Sequence, residues 1–109
     1  MIPIGSVFLV SVAYEDEPET SKERPAVVVQ QDEDGQTVYA LPITSSGPKD
    51  TPSSYDPYKI PLFLWRSAGL DKPSWAKSNQ VVSFETRYLV RYIGQLHRND
   101  LRRIMEALQ

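Results

Sequence analysis

Apolar and polar positions fall into short strand-like runs through most of the chain and into a helical stripe only at its end. "GSVFLVSVAY" is rich in valine and aromatic residues, which suit a pleated surface, so a strand is predicted over Val7 to Ala13, opened by Gly5. "AVVVQ", from Ala26 to Gln30, sets four small apolar residues in a row and reads as a second, buried strand. "TVYALPI" reads as a third. The polar "QDEDGQ" between them holds an Asp34-Gly35 step suited to positive φ in a hairpin, so the three strands form an antiparallel meander.

Further along, "SSGPKDTPSSYDPY" is dense in proline, serine and aspartate and predicts an irregular mobile loop. "KIPLFL" reads as an edge strand, because Pro61 has no N–H to give a ladder. "NQVVSF" reads as another strand, whereas "VRYIGQL" fits either a strand or a short helix. Leu101, Ile104, Met105 and Leu108 then recur at helical spacing, with Asn99 as N-cap and Asp100 in the first turn. Some five short strands and one late helix predict a small β-barrel or strongly curved sheet.

A length of 109 residues suits a single domain spanning 1–109, and 40% hydrophobic with 24% charged residues is a globular balance. No apolar run is long enough to cross a membrane and no signal-peptide pattern opens the chain, so a cytoplasmic protein is expected. With no cysteine there are no disulfides, thiolate nucleophiles or thiolate metal sites. The net charge of −2 hides an asymmetry: residues 1–57 carry three basic and ten acidic side chains, residues 58–109 nine basic and four acidic. The second half is therefore the part suited to an anion.

His97 is the only histidine, so no histidine pair can run acid–base chemistry within one chain. Asp32, Glu33 and Asp34 cluster in a turn where carboxylates are ordinarily solvated, and no metal or cofactor is expected. There is no glycine-rich phosphate loop and no nucleophile elbow. What remains is Arg24, the hydroxyl cluster Thr44-Ser45-Ser46 and the polar segment "SWAKSNQ". Arg24 lies ten positions before Asp34 and Thr44 ten after it, so the hairpin sets them about opposite each other. An arginine fork and a hydroxyl at that spacing suit a shared phosphate. The blander reading pairs Arg24 with Glu19 or Glu23 on the surface and lets Thr44 merely end a strand. Trp75 beside Lys77 is read either as a stacking surface for a base or as part of the core.

Taken in order, "GSVFLV", "RPAVVV", "LPITSS", "SNQVVSF" and "YIGQLHRNDLRRIMEAL" resemble the MazF/PemK toxins of bacterial type II toxin–antitoxin systems over nearly the whole chain. The resemblance implies an SH3-like β-barrel of the MazF/PemK/CcdB type with a C-terminal helix, a homodimer, and metal-independent cleavage of single-stranded RNA. It further implies 2′-hydroxyl attack to a 2′,3′-cyclic phosphate, and a cognate antitoxin whose acidic tail blocks the RNA groove. It assigns Arg24 and Thr44 as the catalytic pair and Asn79 and Gln80 to the RNA groove, where Ser45 and Lys77 join them as RNA-binding candidates. The chain departs from the pattern in having Ser21-Lys22-Glu23 where members usually carry a glycine, an acidic "YEDEPE" before it, and an isoelectric point near 5.3. The competing reading is a catalytically silent or protein-targeting module on the same barrel, as in the related gyrase poisons.

Overall fold

The computed structural model describes residues 2–13, 21–45, 47 and 58–109. Within them the chain runs β1 (Ser6–Ala13), β2 (Ser21–Gln31), β3 (Thr37–Thr44), β4 (Lys59–Leu62), β5 (Ser74–Lys77), β6 (Val82–Glu85), a 3₁₀ turn (Thr86–Tyr88), β7 (Leu89–Gln95) and α1 (Arg98–Ala107). The predicted loop "SSGPKDTPSSYDPY" and the acidic "YEDEPE" fall almost entirely outside the described residues.

All strands belong to one antiparallel sheet ordered β4-β5-β3-β2-β1-β7, with β6 also paired to β3. The hairpin between β2 and β3 turns where the Asp-Gly step predicts: Gly35 takes a φ of 73°. Its tip is tied by the Gln36 amide donating to Asp34 Oδ1 at 2.9 Å and the Asp32 amide donating to the Thr37 carbonyl at 2.9 Å. Successive side chains point to opposite faces of a strand, and the central strands are covered on both. Val27, Val29, Leu41 and Ile43 join Ile104 of α1 in one core cluster, whereas Ala26 and Ala40 join Val10 in a second, with Phe8, Phe84 and Leu89 packed against it. Two covered faces explain why "AVVV" is an unbroken apolar run and not an alternating one.

Several elements differ from the sequence expectation. β2 begins at Ser21, so the charged "SKER" is strand, because β1 offers a backbone partner for it in Val10↔Arg24, Ser11↔Glu23 and Val12↔Lys22. "SWAK", read above only as a polar segment, is β5, with Ser74 and Ala76 buried. "VRYIGQL" resolves as a strand because the outer edge of β1 pairs with it. The helix is capped by His97 and not Asn99, His97 Nδ1 accepting from the Asn99 amide at 3.1 Å. The Pro61 strand β4 is at a sheet edge, as expected. The helical stripe also holds: Ile104 is fully buried, with Leu101, Met105 and Leu108 packed on the same core.

Candidate RNA-binding site

β3 is the strand that builds the site. One edge pairs with β2 along its length, but the other is shared: β6 pairs with Thr37 to Ala40 and β5 with Ile43 and Thr44. Between them, neither β5 nor β6 pairs with Leu41 or Pro42, and Pro42 has no N–H to leave unsatisfied there. β5 and β6 diverge at this fork, and a cavity of about 450 Å³ opens between them.

The register carries Arg24 and Thr44 to it. Ala26 pairs with Pro42, and continuing that antiparallel ladder by two residues sets Arg24 against Thr44 on the same face. Arg24, Thr44, Lys77 and Gln80 all line the cavity, whose apolar walls include Val10, Val82 and Phe84. The set holds two cations and no carboxylate among the described residues. Arg24 and Gln80 are exposed at the cavity mouth and Lys77 and Thr44 half-buried, so the donors are open to an incoming anion. Among the described residues no three His, Asp or Glu side chains gather as metal ligands.

A smaller cavity of about 160 Å³ adjoins the first, with Arg24, Pro25 and Ile43 in the walls of both. Ser45 lines this second space and not the larger one. Asn79 lines neither; it is exposed in the turn between β5 and β6, where the Gln80 amide donates to the Lys77 carbonyl at 3.3 Å. Trp75 is half-buried opposite Thr44 in the ladder, its ring lying so close to Gly47 that an added Cβ there would come within 2.7 Å. Sequence reasoning did not single out Asp71 and Lys72, which line the smaller cavity. The only signal for them was their place in the basic second half.

Among curated proteins, no sequence relative matches the chain. Solved structures of similar fold include the Mycobacterium tuberculosis toxin MazF-mt6, at 19% identity and a TM-score of 0.68, covering 94% of this chain and 91% of that one. MazE–MazF from Deinococcus radiodurans superposes with a TM-score of 0.73 at 16% identity, covering 99% and 93% of the two chains. An endoribonuclease from a Mycobacterial species, solved with its cognate antitoxin, gives a TM-score of 0.69 at 16% identity over 97% and 88%. At such identities the likeness establishes the fold, a MazF-type barrel with a C-terminal helix. Residues 4–109 also match the sequence model of the PemK-like, MazF-like toxins of type II toxin–antitoxin systems, and the chain belongs to that family.

Proposed function

We propose that the protein is a metal-independent endoribonuclease that cleaves single-stranded RNA in the cavity at the fork of β3. The observation that carries this reading is the convergence of Arg24, Thr44, Lys77 and Gln80 on one apolar-walled space. RNA brings its own nucleophile, the 2′-hydroxyl, which DNA lacks. Attack of that oxygen on the adjacent phosphorus forms the 2′-O–P bond and breaks the P–O5′ bond. The 2′-hydroxyl proton is lost, a proton reaches the leaving O5′, and the products are a 2′,3′-cyclic phosphate and a 5′-hydroxyl.

The protein's part is orientation and charge stabilisation. Arginine presents a planar fork of donors and no acceptor, so Arg24 grips the phosphate as negative charge builds on its oxygens. The fixed φ of Pro25 and the ladder with β1 behind it hold the Arg24 backbone from which that fork extends. Thr44 donates to the same phosphate, and Lys77 and Gln80, from the one turn between β5 and β6, contact the strand beside it. Ser45 and Asn79, outside the larger cavity, serve the RNA beyond the cleaved bond. The family and the antitoxin complexes of its structural relatives support a cytoplasmic toxin that acts as a homodimer and is neutralised by a cognate antitoxin.

Purified protein with single-stranded RNA in chelator tests the chemistry. Cleavage is expected to yield cyclic-phosphate ends and to spare DNA of the same sequence. Loss of one preorganised donor costs about 10²–10³ in rate, so Arg24→Ala is expected to lose at least that much with the fold intact, and Thr44→Ala somewhat less. Undiminished cleavage by Arg24→Ala, strict dependence on magnesium, or no RNA cleavage at all refutes the proposal, the last favouring the protein-targeting reading.

A further inference from the structure

The smaller cavity is not needed to hold the reacting phosphate, yet it shares Arg24 with the cavity that does. Its volume of about 160 Å³ is ample for a phosphate group. Arg24, Lys72 and Ser45 are the donors around it. Ser74, also in that wall, is buried and spends its hydroxyl proton on the Lys72 carbonyl at 2.8 Å, which fixes the Lys72 backbone. Asp71 also lines the cavity, so among the described residues two cations and one carboxylate face it. With Arg24 shared with the cleaved phosphate and Asp71 beside Lys72, the cavity carries too little positive charge for a free dianion, and a singly charged phosphodiester is the better match.

The segment that delivers Lys72 is held at several points. Asp100 of α1 accepts from the amides of Phe63 and Leu64 at 3.1 and 2.9 Å. Farther along, the backbones of residues 68–69 and 93–94 touch: a Cβ on Gly94 would lie 2.4 Å from the Ala68 carbonyl oxygen, and one on Gly69 2.6 Å from the Ile93 carbonyl oxygen. Glycine is required at both places, and Leu70, the residue before Asp71, packs on the main core. Lys72 is therefore presented from an anchored stretch of backbone, with its side chain exposed at the cavity.

Resting on the nuclease reading above for its ligand, we propose that the smaller cavity is a subsite for the phosphodiester next along the RNA strand. Lys72 is its charged contact, and Arg24 stands between the cleaved phosphate and its neighbour.

Binding of an oligodeoxynucleotide, which lacks the attacking 2′-hydroxyl, followed by fluorescence anisotropy across a potassium chloride series, reads the subsite without catalysis. A single neutralised phosphate contributes about 0.7 to the slope of log affinity against log salt for single strands. Lys72→Gln is expected to lower the slope by about that much and to weaken low-salt binding severalfold, with an unchanged circular dichroism spectrum. In RNA cleavage the same variant is expected to raise KM severalfold while kcat falls less than twofold, unlike Arg24→Ala. An unchanged salt slope, or a kcat loss as large as that of Arg24→Ala, overturns the subsite. Displacement of the oligonucleotide by low-millimolar inorganic phosphate that depends on Lys72 overturns the diester assignment in favour of a free-anion site. The predicted slope change in a protein that binds but cleaves no RNA upholds the subsite and refutes the nuclease reading alone.

Discussion

Replacing Asp100 by alanine removes the contact that ties the start of α1 to the segment after β4. The Asp100 side chain is 1% exposed and its two oxygens accept separately from the Phe63 and Leu64 amides. It also pairs with Arg103, whose guanidinium donates to the Pro61 carbonyl at 2.8 Å and lies 4.3 Å from the Phe63 ring centroid. An amide left without its acceptor in the interior costs about 1–3 kcal/mol. Phe63 and Leu64 are themselves exposed, so water reaches their amides in the variant and the lower value applies, about 2 kcal/mol for the pair. Arg103 keeps Pro61 and Phe63 as partners, so its loss adds only about 0.5 kcal/mol. An acidic residue in the first turn of a helix adds about 0.5 kcal/mol more. The expected total is about 3 kcal/mol, or a fall in Tm of about 12–20 °C for a domain of this size. Urea unfolding followed by circular dichroism measures it. Asp100→Asn, which keeps one carbonyl acceptor, is expected to lose about half as much. A loss below about 1 kcal/mol for Asp100→Ala refutes the reasoning, because it means that the amides and Arg103 find equal partners without the carboxylate.

Tyr39 supplies a pH prediction. The negative charge of Asp32 holds its phenol above the usual value of 10.0, with burial, the 3.5 Å hydrogen bond to Asp32 Oδ2 and the charge of Asp34 acting in the same direction. The folded protein thus keeps a proton that the unfolded chain releases, so this contribution is complete below about pH 10 and is lost as pH rises through the folded value. Urea unfolding at successive alkaline pH values should show a steeper decline in wild type than in Tyr39→Phe, and parallel curves refute the assignment. A symmetric homodimer is expected at micromolar concentration, consistent with the exposed Tyr88, Val90 and Tyr92 on and beside the edge strand β7. Light scattering that returns the 12.4 kDa monomer refutes it.

Local chemistry made much of the molecule legible in one dimension. The Asp34-Gly35 turn, the unbroken apolar run of β2, the edge placement of the Pro61 strand and the Leu101–Leu108 stripe each depend on residues close in sequence, whose conformational preferences act wherever the chain goes. The hairpin brought Arg24 and Thr44 to the same end of the ladder, but the register its turn starts, Gln31↔Val38 and Gln30↔Tyr39, would set Arg24 against Ser45, and only the register shift between Val28 and Gln30 sets it against Thr44. Where polar sequence met a long-range partner, tertiary structure decided. "SKER" and "SWAK" are strands because β1, β3 and β4 pair with them, and "VRYIGQL" takes the strand form because β1 has an edge to offer. Asp100, by position only an acidic residue in the first turn of a helix, became a buried clamp because the fold brings two amides and Arg103 to it. The cavity belongs to the same class: β5 and β6 take adjoining stretches of one edge of β3, and the gap between them draws Lys77 and Gln80 from a distant segment to the Arg24–Thr44 pair. Spacing along the chain carries no record of that gap, because it arises from backbone pairing between segments more than thirty residues apart.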